Sequence, residues 1–173
     1  YWQNKLSPET INLVVGNMVT EIEIFRIVLN CDKIDETVLK FLDGGIPYHI
    51  VFILEFDNYV KLCVAYKEIS SNGRCTFYSK YYYTDWLFEE DVHLMIYGLN
   101  LDSVFEGFVR QIAKDNILMQ SGNIKTDIEN SLRIERINKE IACLEKIARN
   151  EKQPKKKCEL LQKIKELQKG LYK

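Results

Sequence analysis

The chain has 173 residues, with 24 Lys and Arg against 25 Asp and Glu for a formal net charge of -1, and 46% of its residues are hydrophobic. Such a composition argues against disorder and bounds the protein to one compact domain plus an appendage. The charge is segregated: residues 123–173 hold 14 cationic against 8 acidic side chains, a balance of +6 that leaves -7 for the rest, so the basic end either meets an anion or packs on its own acidic body.

The first readable element is "VTEIEIFRIVLN", in which Glu21 and Glu23 alternate with Ile22 and Ile24 before the phase shifts to Phe25, Ile27 and Leu29. This pattern predicts a half-buried strand with a bulge. Asp32 or Asp35 then caps a short helix with Ile34, Val38 and Leu42 at four-residue spacing, ended by a left-handed cap at Gly44-Gly45. After Pro47, the run His49 to Phe56 is nearly all apolar, as a central strand covered on both faces would be. Asp57-Asn58 offers a tight turn into "YVKLCVAYK", which makes a hairpin.

"SSNG" at 70 to 73 signals a loop, and "CTFYSKYYYTDW" has the aromatic composition of another strand. Asn100, Asp102 or Ser103 caps a helix whose Val104, Phe105, Phe108, Val109 and Ile112 form one apolar stripe suited to lying on a sheet. At "MQSGN", 119 to 123, composition changes from aromatic and β-branched to Lys, Glu, Ile and Leu. The expected organisation is an α+β body over 1–120, with a mixed or antiparallel sheet and packed helices, followed by an antiparallel helical hairpin over 121–173.

In that appendage Ile134, Ile137, Ile141, Leu144 and Ala148, then Leu160, Ile164, Leu167 and Leu171, step by three and four like coiled-coil seams. Pro154 falls between them, where it breaks the first helix and fits the first turn of the second. The bend then collects Arg149, Lys152, Lys155, Lys156 and Lys157, with only Glu151 and Glu159 to offset them. A cluster of this kind suits phosphate contacts, although a charge run near a turn is more often a solvated surface.

Other constellations point away from catalysis. Cys31, Cys63, Cys75, Cys143 and Cys158 are odd in number and scattered, without the two-residue spacing of metal or redox sites, so they read as reduced space-fillers with no metal and no disulfide. Phe77, Tyr78, Tyr81, Tyr82, Tyr83 and Trp86 could stack on bases, but strand alternation sends about half of them into a core. A metal nuclease would need an acid on one strand and an acid-x-lysine on the next; Glu55, Asp57 and Lys67 are the nearest set, and Ala65 stands where the second acid belongs. His49 reads as a core histidine and His93 has no evident partner, while "DGG" and "SNG" lack the spacing of a phosphate loop, so no cofactor is expected.

The longest apolar run, "YHIVFILEF", is too short to span a bilayer, and "YWQNKLSPET" lacks a leader pattern. A cytoplasmic protein with no membrane contact is expected. The start at Tyr1 without an initiator Met leaves room for residues before it.

The succession "EIEIFRIVL", "GGIPYHIVFILEF", "VAYKE", "YYYTDW", "GLNLDSVFEGFVRQI" and "EIACLEKIARNEKQPKKKCELLQKIKELQ" resembles the bacterial domain of unknown function 4391 family over nearly the whole chain. The resemblance carries no assigned activity. It implies an accessory protein of a DNA-processing, restriction or phage-defence system, with DNA, a helicase or a DNA methyltransferase as partner. It also draws attention to an acid near the end of the central strand, Glu55, and to an aromatic-lysine pair, Tyr66 and Lys67. The expectation is therefore a non-catalytic interaction protein whose basic hairpin reaches its partner. A degenerate metal nuclease in the body and a homodimer zipper formed by the hairpin are the alternatives.

Overall fold

The computed structural model describes residues 1–69, 75–118 and 121–171, with backbone alone at 75–77. The loop expected at 70–73 and the first two residues of the segment 119–123 lie outside them. Among the described residues six strands form one mixed sheet: β1 (Trp2–Leu6), β2 (Ile22–Val28), β3 (His49–Phe56), β4 (Tyr59–Ile69) and β5 (Cys75–Tyr83) in that spatial order, with β6 (Leu87–Phe88) beside the start of β4. Only β2 and β3 run parallel. A parallel pair needs a crossover, and α1 (Glu36–Gly45) supplies it.

The central strand is covered on both sides, as its unbroken apolar run requires. Ile50, Phe52 and Leu54 face α1 and share a core with Leu39, Cys63, Ala65 and Tyr81. On the other face lies α2 (Leu101–Ala113), whose expected stripe is buried at every position. Asn100 caps it by accepting from the Ser103 N–H. Asp102, a rival for that role, instead accepts from the N–H groups of Asn17, Met18 and Val19 at 2.7 to 3.1 Å and ties that loop to the helix. Gly16 completes the fit, because a Cβ there would stand 2.1 Å from the Asp102 carboxylate.

Three local expectations are corrected. The bulge assigned to β2 is absent from its pairing with β3, which is continuous from Ile22↔His49 to Val28↔Glu55; the irregularity lies in β1 instead, between Trp2 and Asn4. The phase of β2 breaks because Arg26 occupies an inward position, buried by ion pairs. In α1 the inward residues are Leu39 and Asp43, while Val38 is 47% exposed. That helix is capped by Asp35, and it runs through Gly44 and Gly45 without a left-handed residue, ending at an extended Ile46. The turn at Asp57-Asn58 does use left-handed backbone, with φ of 48° and 66°, as the tightest hairpin connection demands.

Tyr1–Ile117 and Leu118–Lys173 form two compact units. In the second, α3 (Ile124–Asn150) and α4 (Pro154–Leu171) pack together, with Pro154 as the first residue of α4. They run antiparallel: Arg133 donates to the Gly170 carbonyl at 3.0 Å, and Lys163 meets Glu140 at 3.0 Å nearer the bend. Ile141, Ala148 and Ile164 are buried in the seam. Cys143 and Cys158 are exposed, so of the four cysteines whose side chains are described only Cys63 fills core space. No helix of the described residues is long and apolar enough to cross a membrane.

Candidate functional site

Arg149 ends α3, Lys152 lies in the three-residue bend, and Lys155, Lys156 and Lys157 occupy the first turn of α4. All five are exposed, and none makes an ion pair with any described residue. The nearest acid, Glu151, is engaged locally, accepting from the Gln153 N–H at 2.8 Å. No acid stands in the first turn of α4. Helix N-termini carry partial positive charge and favour acids, so three lysines there oppose the helix dipole.

Glu55, Tyr66 and Lys67 do not assemble into one site. Along β4, Lys67 is seven residues beyond Val60, the partner of Glu55, which separates the two by about 23 Å of extended chain. Glu55 instead meets Arg26 at 3.0 Å, and Arg26 also binds Glu89. The Glu89 and Glu55 carboxylates, Glu89 foremost, hold the guanidinium above its ordinary range, and Arg26 in turn draws the Glu89 carboxyl down. Tyr66 points to the opposite face from Lys67, stacked 6.4 Å from Phe105, with its hydroxyl pushed up by burial. Among the described residues no group of three or more His, Cys, Asp or Glu side chains could hold a metal ion. The described rings of β5 are all buried or half-buried, so they offer no exposed stacking platform.

Lys67 has other partners, which the sequence did not disclose. Its ammonium donates to Asp43 Oδ1 at 2.7 Å, to the Asp43 carbonyl at 3.0 Å and to the Ile46 carbonyl at 3.3 Å, so all three protons are used. Pro47 has no N–H to close the last turn of α1, and Lys67 does so in its place. Asp43 Oδ2 lies 2.8 Å from the Tyr78 hydroxyl and 3.2 Å from that of Tyr81, and those hydroxyls also bond to each other. Burial pushes both phenols up, so they remain protonated donors. Lys67 and Asp43 are 3% and 4% exposed, making this a desolvated ion pair inside a hydrogen-bonded cluster.

Asp43, Lys67 and Tyr78 form the polar part of a cavity of about 370 Å³ at the C-terminal end of α1, with Ile46, Pro47 and Ile69 as its apolar part. Behind it His49 Nε2 lies 3.0 Å from the Lys67 carbonyl, and its ring meets Phe105 edge-on at 4.5 Å. A neutral ring donating to that carbonyl satisfies the contact, and burial lowers the His49 pKa to about 4. His49 is thus the satisfied core histidine its apolar setting suggested.

The body also exposes an apolar surface. Met95, Ile96, Tyr97 and Leu99 are 49% to 87% exposed, and Val14, 70% exposed, is joined to their segment by a bridge to Asn100. Exposed apolar side chains are thus gathered at Val14 and along 95–99.

The model of the family described as domain of unknown function 4391 matches residues 1–171, and the chain belongs to that family. Neither a curated protein nor a solved structure matches it.

Proposed function

For a member of the domain of unknown function 4391 family, we propose a non-catalytic accessory role in which the hairpin bend contacts DNA through Arg149, Lys152, Lys155, Lys156 and Lys157. The observation that carries this reading is the exposure of five cations at one bend, none neutralised by a described residue, three of them on a helix N-terminus that an anion would complete. Phosphate would serve as that anion. Recognition of this type is electrostatic and sequence-tolerant, since nothing at the bend reads base edges.

The test is a mobility shift with a short DNA duplex at about 50 mM salt, repeated as salt rises. Affinity falls with a log-log slope of about -4.5 if the five side chains each displace a counterion, and the Lys152→Glu, Lys155→Glu, Lys156→Glu, Lys157→Glu variant loses retention. Unchanged retention in that variant refutes the contact.

The exposed apolar patch at Val14 and Met95 to Leu99 supports the companion reading, that the body docks on a larger protein such as the helicase or methyltransferase of a restriction or defence system. Leu99→Glu would then abolish capture of that partner while leaving DNA retention intact; capture that survives refutes the docking surface.

A further inference from the structure

We propose that the cavity at the end of α1 is a binding site for a small neutral ligand that bears an N–H-donating amide group. Its volume of about 370 Å³ suits a ligand of one or two rings, and its combination of Ile46, Pro47 and Ile69 with Asp43, Lys67 and Tyr78 is the mix of apolar wall and few polar groups that such sites use.

Two glycines on the lining give an independent reason. Gly44 and Gly45 occupy the last turn of α1 with ordinary negative φ, and a Cβ added at either meets nothing within 4 Å. Glycine weakens a helix relative to alanine, so here it costs stability that neither a turn nor close packing requires. What the missing side chains provide is open volume. Both glycines are exposed on the lining, so the pair leaves the mouth of the cavity unobstructed.

Charge selects the class of that occupant. An anion would find the three protons of Lys67 already engaged and would face the negative end of the α1 dipole. An ammonium would be a second cation at the carboxylate of Asp43, which Lys67 already neutralises, while Lys40 on the lining is paired with Glu36. A neutral N–H donor avoids both penalties. The Gly44 and Gly45 carbonyls at the C-terminal end of α1 are acceptors for such a donor, and the Tyr78 hydroxyl, whose single proton goes to Asp43 or Tyr81, can add an accepting lone pair.

The test uses the full chain labelled with 15N-glycine, whose eight glycines give a sparse spectrum. Benzamide, benzoate and benzylammonium share a ring and differ in the charge of the head group. Benzamide should shift the Gly44 and Gly45 signals saturably, with a dissociation constant on the order of 1 mM, and leave Gly107 and Gly170 in place. The charged probes should bind at least tenfold more weakly. Gly45→Leu, or Gly44→Leu, should fold, as its unchanged Gly107 signal will show, and lose the benzamide response. The proposal is overturned if benzamide produces no saturable shift at Gly44 and Gly45, if a charged probe binds as well, or if the leucine variants respond like the parent.

Discussion

Replacing Lys67 by Met exposes how the end of α1 is held to the sheet. The substitution is close in volume, so packing is preserved while Asp43, 4% exposed, loses its counter-ion and the Asp43 and Ile46 carbonyls lose their cap. Breaking a buried pair from one side costs about 3 to 5 kcal/mol. The hydroxyls of Tyr78 and Tyr81 still solvate the carboxylate, so the expected loss is about 3 to 4 kcal/mol, a large part of the stability of a domain this size. Asp43→Leu alone should lose a similar amount by stranding the ammonium. The double variant should lose only about 1 to 2 kcal/mol, because no uncompensated charge remains. Urea unfolding followed by tryptophan fluorescence measures this in the right unit, since both tryptophans, Trp2 and Trp86, lie in the body. Additive losses in the double variant, or a Lys67→Met loss under about 1 kcal/mol, would refute a desolvated, mutually dependent pair.

Acid should act on the same region through His49. With its pKa lowered to about 4, the folded state keeps the ring neutral while the unfolded chain protonates it below its ordinary value, so stability is full above about pH 6.5 and falls as pH drops toward 4, by up to about 3 kcal/mol. His49→Gln should remove that portion of the acid dependence in urea titrations, and an identical pH profile would contradict it. At the hairpin bend, Lys155→Glu with Lys156→Glu should stabilise the α3–α4 unit by about 0.5 to 1 kcal/mol per site through the helix dipole, seen as a higher melting temperature, while weakening DNA retention. A drop in both would mean that the lysines serve folding instead. Asn58→Gly should stabilise the body by about 0.5 kcal/mol or more, since φ there is 66°, whereas Asn58→Val should cost about 1 to 2 kcal/mol by the same urea assay.

Where one residue sets the local structure, the sequence was legible. Pro154 ends one helix and begins the next, Asp57-Asn58 forms the hairpin turn, and the five-residue stripe of α2 is buried throughout. Legibility failed where pairing or tertiary burial decides. "WQNKL" has no alternating apolar pattern and becomes an edge strand because β2 offers it a ladder. Arg26 reads as an outward residue of β2, yet Glu55 and Glu89 neutralise it in place, which disguised an unbroken strand as a bulged one. In α1 the choice between Val38 and Leu39 as the inward residue shifts the stripe by one position, and the sheet chose Leu39.

That shift of one position also concealed the body site. With Val38 taken as inward, Asp43 falls on the solvent side and needs no explanation; with Leu39 inward, Asp43 follows four residues later on the same buried face, directly over the sheet. A carboxylate on an apolar stripe demands a cation, and the only lysine in the apolar part of β4 that faces α1 at its far end is Lys67. The lysine was therefore visible in the sequence but attached to the wrong acid, because Glu55 lies on a strand and Asp43 on a helix. Strand register then separates Glu55 from Lys67, and the crossover between β2 and β3 delivers Asp43 to it. The sequence signal for the pair is the acid at i+4 from Leu39, which shares a face with the apolar stripe only in the phase that the sheet selects.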